Sequence, residues 1–334
     1  MGGRNVTRKL LRYALPLAAA LLAGPAAAQD KPEVVTVVKI AGIPWFNAVE
    51  QGIQKGGEEF GLDASMVGPN TVDPAQQVKL VEDLIARKVD AIGLIPLDVN
   101  VMEPVLQRAA AAGIPIITHE APEQKTKTWN IELIDSKEFG EVQMEKLAQS
   151  MGGEGEYIVM VGTLTTPLHN QWADAAIAYQ KAKYPKMKLV TDRFPGADEV
   201  DSAYRVAMDA ITAYPNLKGI IGFGSNGPIG AGNAVRERGM QGKVFVTGTC
   251  LPSPGRALIA DEVVQECFLW NPIDAGYAMM AVAKLVLDKK EITDGMEIPG
   301  VGKVAVDPAT HNIRANLILH INKDTVDKLI DAGL

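Results

Sequence analysis

Short apolar runs alternate with longer amphipathic segments along most of the chain, beginning at residue 34. The first run, VVTVVKI at residues 34–40, is rich in β-branched residues and ends at a Gly-Ile-Pro turn. After the Asp73-Pro74 pair, apolar residues recur from Val78 to Ile85 at the period of an α-helix, which marks one buried face. Strands separated by helices predict βαβ units and a parallel sheet covered on both faces.

The same alternation begins again in the second half of the chain. Residues 90–120 hold the strand DAIGLIP, a helix and the strand IPIITHE, and residues 218–249 hold GIIGFG, a helix and VFVTGTC over nearly the same length. This predicts an α/β fold of two similar doubly wound parallel-sheet domains. Ligands of such sheets bind beyond the carboxyl ends of the strands, so two facing domains place both sets of strand ends around one cleft.

The residues that follow the predicted strands combine aromatic, amide and carboxyl side chains. They are Trp45, Phe46, Asp98, His119 and Glu120 in the first half, and His169, Asn170, Asn226, Thr249, Cys250, Trp270, Asn271 and Asp274 in the second. A sugar ring presents C–H faces that stack on aromatic rings and hydroxyl groups that donate and accept hydrogen bonds. The mixture therefore indicates a sugar site, although Asp98 and Asn226 also suit helix N-caps and the aromatic residues also suit a core.

Gly222, Gly224 and Gly227 form a G-x-G-x-x-G motif of the kind that binds dinucleotides. Such a motif requires an acidic residue at the end of the following strand to hold the ribose, and VFVTGTC offers none. We interpret the glycines as a tight turn that brings the backbone close to another ligand, and we expect no cofactor. The sequence also lacks a G-x-S-x-G elbow and a metal-binding histidine spacing, so neither catalysis nor a metal is expected.

The first 28 residues have the pattern of an export signal. Basic residues from Arg4 to Arg12 precede the apolar run YALPLAAALLAG, and Ala26 to Ala28 fit a signal peptidase site. The run is shorter than the roughly 20 residues of a membrane-spanning helix. We therefore expect cleavage after Ala28 and a periplasmic protein.

The net charge bears on the class of partner, and the cysteine content bears on whether a disulfide forms. The formal net charge of -7 is spread along the chain without a basic cluster, so nucleic acid is not an expected partner. Cys250 and Cys267 are the only two cysteines. Export permits a disulfide between them, but buried free cysteine is also common, and both alternatives stay open.

Several segments together resemble the type I periplasmic sugar-binding proteins, the ribose-binding-like receptors of ABC importers. They are GIPWFNAVEQGIQKGGEEFG, DPAQQVKLVEDLIARKVDAIGLIPLD, AAAAGIPIITHE and FGSNGPIGAGNAV, while HNQW and MEIPGVGKVAVDP are most similar to the rhamnose-binding and autoinducer-2-binding branch. The resemblance implies a monomeric receptor that carries a monosaccharide or polyol to an inner-membrane permease, with a chemoreceptor or sensor kinase as a further partner. Autoinducer-2 is the alternative ligand, and a secreted carbohydrate-active enzyme is the alternative function.

The resemblance also assigns roles to residues. Trp45 and Phe46 match the family's ring-stacking pair, and Glu120 matches its hydroxyl-binding Asp. Asn226 matches the cleft Asn, and Asp274 matches the polar residue that opens the last crossover.

Further positions concern the choice of ligand. Lys39 matches a ligand-contacting lysine of autoinducer-2 receptors, and His169 and Asn170 lie where that branch supplies an Asp-Gln pair. The chain departs from the autoinducer-2 pattern at three places: the Asp-Gln pair is missing, and the segments THEAP and FGS stand where that pattern has other residues. These departures favour a pentose, deoxyhexose or polyol as the ligand. Thr249 and Asn271 complete the candidate ligand-binding set.

The family topology implies three crossovers between the domains, near residues 135, 272 and 300. The N-terminal lobe is then expected to hold residues 34–135 and 273–300, and the C-terminal lobe residues 136–272 and 301–334. Three segments that cross one cleft form a hinge, about which the lobes close on a ligand.

Overall fold

The computed structural model describes residues 1–3 and 31–334 of the chain. The basic and apolar segments of the expected export signal, with the cleavage site after Ala28, lie outside the described residues. Within the described part, no helix is long and apolar enough to cross a membrane.

Strands and helices alternate along most of residues 33–331. The strands are β1 Glu33–Val37, β2 Asp63–Val67, β3 Ala91–Leu94, β4 Ile116–His119, β5 Trp129–Glu132, β6 Glu154–Val161, β7 Lys186–Leu189, β8 Phe194–Pro195, β9 Leu217–Gly222, β10 Phe245–Thr249, β11 Val264–Leu269, β12 Glu297–Ile298, β13 Gly302–Lys303, β14 Ala305–Asp307, β15 Asn312–Arg314 and β16 Leu319–Ile321. The helices are α1 Pro44–Phe60, α2 Pro74–Arg87, α3 Val99–Ala111, α4 Ser136–Met151, α5 Pro167–Lys183, α6 Val200–Ala213, α7 Gly227–Glu237, α8 Pro252–Ala260, α9 Pro272–Leu287 and α10 Val326–Asp331.

Lobe 1 is built on a seven-stranded sheet in the order β14-β15-β5-β4-β3-β1-β2. All neighbouring strands are parallel except β14 and β15. Alternate residues of β1 are buried on opposite faces: Val34 belongs to the cluster that includes α1 and α9, while Val35 and Val37 pack with α2 and α3. Burial on both faces is the arrangement that the apolar strand sequences predict.

Lobe 2 repeats this architecture with a sheet in the order β16-β11-β10-β9-β6-β7, in which β8 also pairs with β6. Its strands are parallel apart from β16, which runs antiparallel to β11. Helix α4 packs against α5, and α6 packs against α7. Two such sheets confirm the predicted α/β class with two doubly wound parallel-sheet domains.

The chain passes between the lobes after β5, after β11 and after β15. The first two passages lie near the predicted positions, residues 135 and 272. Helix α9 returns to lobe 1 and packs closely on α1, where a Cβ atom at Gly276 would lie 2.1 Å from the carbonyl oxygen of Val49. The third passage differs from the predicted position near residue 300, because β14 and β15 extend the sheet of lobe 1 before the chain crosses at residues 315–318. Three-residue strands are too short to show a clear alternation in the sequence.

Several elements begin or end differently from the expectation, with consequences for the site. Helix α1 begins at Pro44, so Trp45 and Phe46 lie in its first turn. His169 and Asn170 lie in the first turn of α5. In both helices a proline occupies the first turn, where its missing N–H leaves no helical hydrogen bond unmade.

Cys250 and Cys267 form a disulfide, with their Cα atoms 5.4 Å apart. Cys250 follows the last residue of β10, and Cys267 lies in the neighbouring strand β11. Of the two alternatives that the sequence left open, the structure shows the bonded one.

Candidate functional site

A small cavity lies between the lobes, at the carboxyl ends of the strands of both sheets. Its lining residues are Lys39, Ile43, Trp45, Phe46 and Glu120 from lobe 1, and His169, Trp172, Asp198, Phe223, Ser225, Thr249 and Trp270 from lobe 2. Its volume is about 20 Å³, which is room for roughly one water molecule. A larger guest therefore enters only when the lobes separate about the three passages between them.

The lobe 1 side of the cavity carries a buried ion pair. The Lys39 ammonium donates to the Glu120 carboxylate, and each side chain is 3% exposed. Glu120 has a φ of 57°, in the left-handed region that residues other than glycine rarely adopt. Such strain is concentrated at functional sites, where the surrounding structure enforces it.

Gln77 of α2 braces the ends of two strands on this side. Its amide nitrogen donates to the carbonyl oxygens of Val38 and Ile95, both at 2.9 Å, and its amide oxygen accepts from the Leu97 amide. Because Val38 directly precedes Lys39, this network fixes the backbone that presents the lysine.

Aromatic rings form much of the wall, and three of the four tryptophans in the chain contribute. Trp45 and Trp270 pack edge to face with ring centroids 5.0 Å apart, and Trp172 packs against Trp270 at 5.5 Å. Phe223 lies 6.4 Å from Trp172. Rings from both lobes thus meet around the cavity, and ring faces of this kind stack on the C–H faces of sugars.

Lobe 2 adds a carboxyl group and an imidazole that pack around a glycine. A Cβ atom at Gly162 would lie 2.1 Å from Asp198 Oδ2 and 2.9 Å from His169 Nδ1, so a side chain there would displace these two groups. The Gly162 amide donates to His169 Nδ1 at 3.0 Å. Nδ1 therefore acts as an acceptor, and the hydrogen of the neutral imidazole resides on Nε2.

Three buried polar atoms of the lining residues have no hydrogen-bond partner within the protein. They are Trp172 Nε1, Asp198 Oδ2 and Thr249 Oγ1. Buried polar groups are nearly always paired, because an unpaired one costs roughly 1–3 kcal/mol. The indole N–H can donate, the carboxylate oxygen can accept and the threonine hydroxyl can do both, so together they can form hydrogen bonds with several hydroxyl groups of a guest.

Burial also shifts the titration of these groups. Burial raises the pKa of Asp198 to about 6, with Lys39 opposing the shift and Glu120 adding to it. Burial together with the Lys39 charge holds the pKa of His169 well below its usual range. Beside the Lys39–Glu120 ion pair, the cavity therefore holds a carboxyl group with a raised pKa and a neutral imidazole.

Six of the ten predicted site residues line the cavity. They are Lys39, Trp45, Phe46, Glu120, His169 and Thr249.

The other four predicted residues lie outside the lining, where the protein itself uses their polar atoms. Asn226 donates to the Asp198 carbonyl oxygen at 2.8 Å, so it supports a lining residue from behind. Asn170 donates to two backbone carbonyl oxygens just before α5. Asn271 is the N-cap of α9, and its side chain accepts from the Ile273 amide. Asp274 is half-buried in the first turn of α9, where burial raises its pKa.

Sequence reasoning missed several lining residues. Trp172 is three residues beyond His169 on one face of α5, a helical spacing that could have found it. Asp198 lies in the loop after the two-residue strand β8, and Ser225 precedes the predicted Asn226 by one position. Trp270 follows β11 and belongs to the strand-end residues, but it is not in the predicted ligand-binding set because it suited the core equally well. Ile43 and Phe223 carried no chemical signal.

A larger groove of about 920 Å³ lies beside the first passage between the lobes. It is open and lined mainly by charged and polar residues of segments 122–127, 132–137 and 307–314. The groove lacks the cluster of aromatic rings that lines the smaller cavity between the lobes. We therefore take the smaller cavity as the functional site. Among the described residues, no group of three His, Cys, Asp or Glu side chains could hold a metal ion.

Comparison with known proteins agrees with this geometry. The D-apiose import binding protein of Actinobacillus succinogenes is 25% identical over 242 residues, which covers 71% of this chain and 76% of that protein. The D-ribose/D-allose-binding protein of Pseudomonas aeruginosa is 26% identical over 248 residues, with 70% and 74% covered.

Solved structures share the fold at low identity. LsrB from Clostridium saccharobutylicum in complex with AI-2 superposes with a TM-score of 0.83 at 20% identity, covering 89% of this chain and 99% of that one. An ABC transporter solute-binding protein from Clostridium phytofermentas with bound L-rhamnose gives 0.82 at 21% identity, with 90% and 99% covered. The model of the periplasmic binding protein domain matches residues 34–291, and the chain therefore belongs to the periplasmic binding protein domain family.

Proposed function

We propose that this protein is an extracytoplasmic receptor that binds a neutral monosaccharide or related polyol between its lobes and delivers it to an ABC transporter permease. The observation that carries the proposal is the set of three unpartnered buried polar atoms, on Trp172, Asp198 and Thr249, within a wall of aromatic rings. Hydroxyl groups of a sugar supply both the donors and the acceptors that these atoms lack. The relatives named for apiose, ribose and allose support the same class of ligand.

The charges of the cavity favour a neutral guest. Lys39 is already paired with Glu120, and Asp198 adds a further negative charge at neutral pH. A phosphorylated sugar or a uronic acid would face this uncompensated carboxylate in a buried site, where like charges repel strongly.

Delivery to a permease requires capture and release. We expect a dissociation constant near micromolar, which corresponds to about 8 kcal/mol of binding free energy. Closure of the lobes is driven only by contacts that the guest makes better in the closed state.

A thermal-shift screen tests the proposal. Pentoses, deoxyhexoses, hexoses, polyols and autoinducer-2 are compared with uronic acids and sugar phosphates, and one narrow neutral class should raise the Tm. A ligand at 100 times its Kd adds roughly 2.7 kcal/mol to the unfolding free energy. The proposal fails if no neutral sugar or polyol moves the Tm, or if the charged analogues bind best.

The chain offers a matched pair of variants for this test. Thr249 and Thr36 both bury a hydroxyl without a partner, but only Thr249 lines the cavity. Thr249→Val should weaken binding about fivefold or more, because a hydrogen bond is worth roughly 1 kcal/mol. Thr36→Val should leave the Kd unchanged, and equal effects of the two variants would place the ligand elsewhere.

Autoinducer-2 is the second candidate ligand. The fold of the AI-2-bound LsrB and the presence of Lys39 in the cavity support it. A Tm shift with autoinducer-2 alone would favour this alternative over a sugar, whereas turnover of a chromogenic glycoside would favour an enzyme.

A further inference from the structure

Trp270 lies at the boundary between the two lobes. Its backbone follows β11 of lobe 2, yet its ring packs against Trp45 of lobe 1 at 5.0 Å as well as against Trp172 of lobe 2 at 5.5 Å. The side chain is 1% exposed. Ring contacts alone do not decide which lobe the indole accompanies when the lobes separate.

The polar atom of the indole is bonded to lobe 1. Trp270 Nε1 donates to His119 Nε2 at 3.2 Å, and His119 is the last residue of β4, fully buried. His119 Nδ1 lies 2.6 Å from the carbonyl oxygen of Ile131 in β5. A carbonyl only accepts, so Nδ1 carries the ring hydrogen and Nε2 is left with the lone pair that the indole needs. Burial lowers the pKa of His119, which keeps the ring in this neutral form.

We infer that His119 is a positioning residue that holds the Trp270 indole on lobe 1, so that Trp45 and Trp270 form a ready-made stacking surface before the lobes close. The inference rests on the proposed sugar-binding function. A surface ordered in advance removes the entropic cost of immobilising these side chains on binding. His119 itself does not line the cavity, so it acts through the indole.

The competing explanation is that His119 is only a satisfied core residue. Two substitutions distinguish the explanations, because each places an amide at the position of a different ring nitrogen. In His119→Gln the side-chain amide reaches the position of Nε2 and can accept from the indole. In His119→Asn the amide reaches the position of Nδ1 and can donate to Ile131, but nothing accepts from the indole.

The first measurement is the Kd of the sugar that gives the largest Tm shift among L-rhamnose, D-ribose and D-allose. His119→Asn should raise this Kd about tenfold, or 1.4 kcal/mol, while His119→Gln stays within about threefold of the original protein. Trp270→Phe, which keeps a ring but loses the donor, should cause a similar rise, and adding His119→Asn to it should change little more. Equal effects of Asn and Gln, or additive effects in the double variant, would overturn the inference.

The second measurement needs no sugar. Solvent exchange of the Trp270 indole hydrogen, followed by NMR, should be slow in the original protein and in His119→Gln and faster in His119→Asn. If the exchange rate is the same in all three, the histidine does not hold the indole. If exchange behaves as expected but no sugar binds to the original protein, the proposed function fails and the positioning role stands.

Discussion

Asp198 should destabilise the ligand-free protein while it strengthens sugar binding. Its carboxyl group is 7% exposed, and one oxygen has no partner in the protein. Burial raises its pKa from 3.8 to about 6, which corresponds to roughly 3 kcal/mol of unfolding free energy at pH 7. Asp198→Asn removes the ionised group, so the unfolding free energy at pH 7 should rise by up to about 3 kcal/mol.

The pH dependence gives the sign of this effect. Since the folded-state pKa is the higher one, the folded protein holds a proton that the unfolded chain releases between pH 4 and pH 6. Stability from this group is therefore fully present below about pH 4 and is lost as the pH rises to about 6. Urea denaturation of the ligand-free protein and of Asp198→Asn across pH 4 to 8 measures this loss as the difference between the two proteins, because Glu132 loses stability over the same range in both.

Binding should respond in the opposite direction. A hydrogen bond to a charged group is worth roughly 1.5–3 kcal/mol, so the neutral amide should raise the Kd about tenfold or more. Glu132→Gln is the matched control, because burial raises the pKa of Glu132 to about 8 and that residue does not line the cavity. It should stabilise the protein without changing the Kd. A loss of stability in Asp198→Asn at pH 7, or an unchanged Kd, would refute the reasoning.

Three further outcomes are expected. Glu120→Ala should lower the unfolding free energy by about 3–5 kcal/mol, because it leaves Lys39 buried without a partner. The same variant should abolish the sugar-induced Tm shift, and a preserved shift would contradict the proposed site. Gly162→Ala should weaken sugar binding in calorimetry, because its Cβ would lie 2.1 Å from a carboxylate oxygen of the cavity, and wild-type affinity would argue against that carboxylate as a contact. Replacing both Cys250 and Cys267 with Ser should cost roughly 3 kcal/mol in urea denaturation, since they close a loop with a sequence separation of 17; unchanged stability would show that the bond does not contribute.

The regular part of the fold could be predicted because its strands and helices carry strong periodic patterns. The βαβ order placed the strand ends correctly, and Trp45, Phe46, Glu120, His169 and Thr249 followed from that order, whereas Lys39 followed only from the family resemblance. Strand β5 was missed because its four residues, WNIE, mix polar and apolar side chains without a clear alternation.

The remaining site residues depend on distances that the sequence does not contain. Asn226 and Asp274 have the right chemistry at strand or helix ends, yet their polar atoms or positions serve the surrounding structure. Asp198 is brought to the cavity by the loop after β8, and its neighbour there, Gly162, is distant in the sequence. Close approaches of this kind decide which polar group faces a guest.

The last strands tie the two sheets together through one short segment. Residues 312–314 join the sheet of lobe 1 beside β5, and residues 319–321 join that of lobe 2 beside β11. One ten-residue segment, 312–321, therefore supplies a strand to each of the two sheets. A change that pulls this segment away from one sheet also strains its pairing with the other, which couples the integrity of the two lobes.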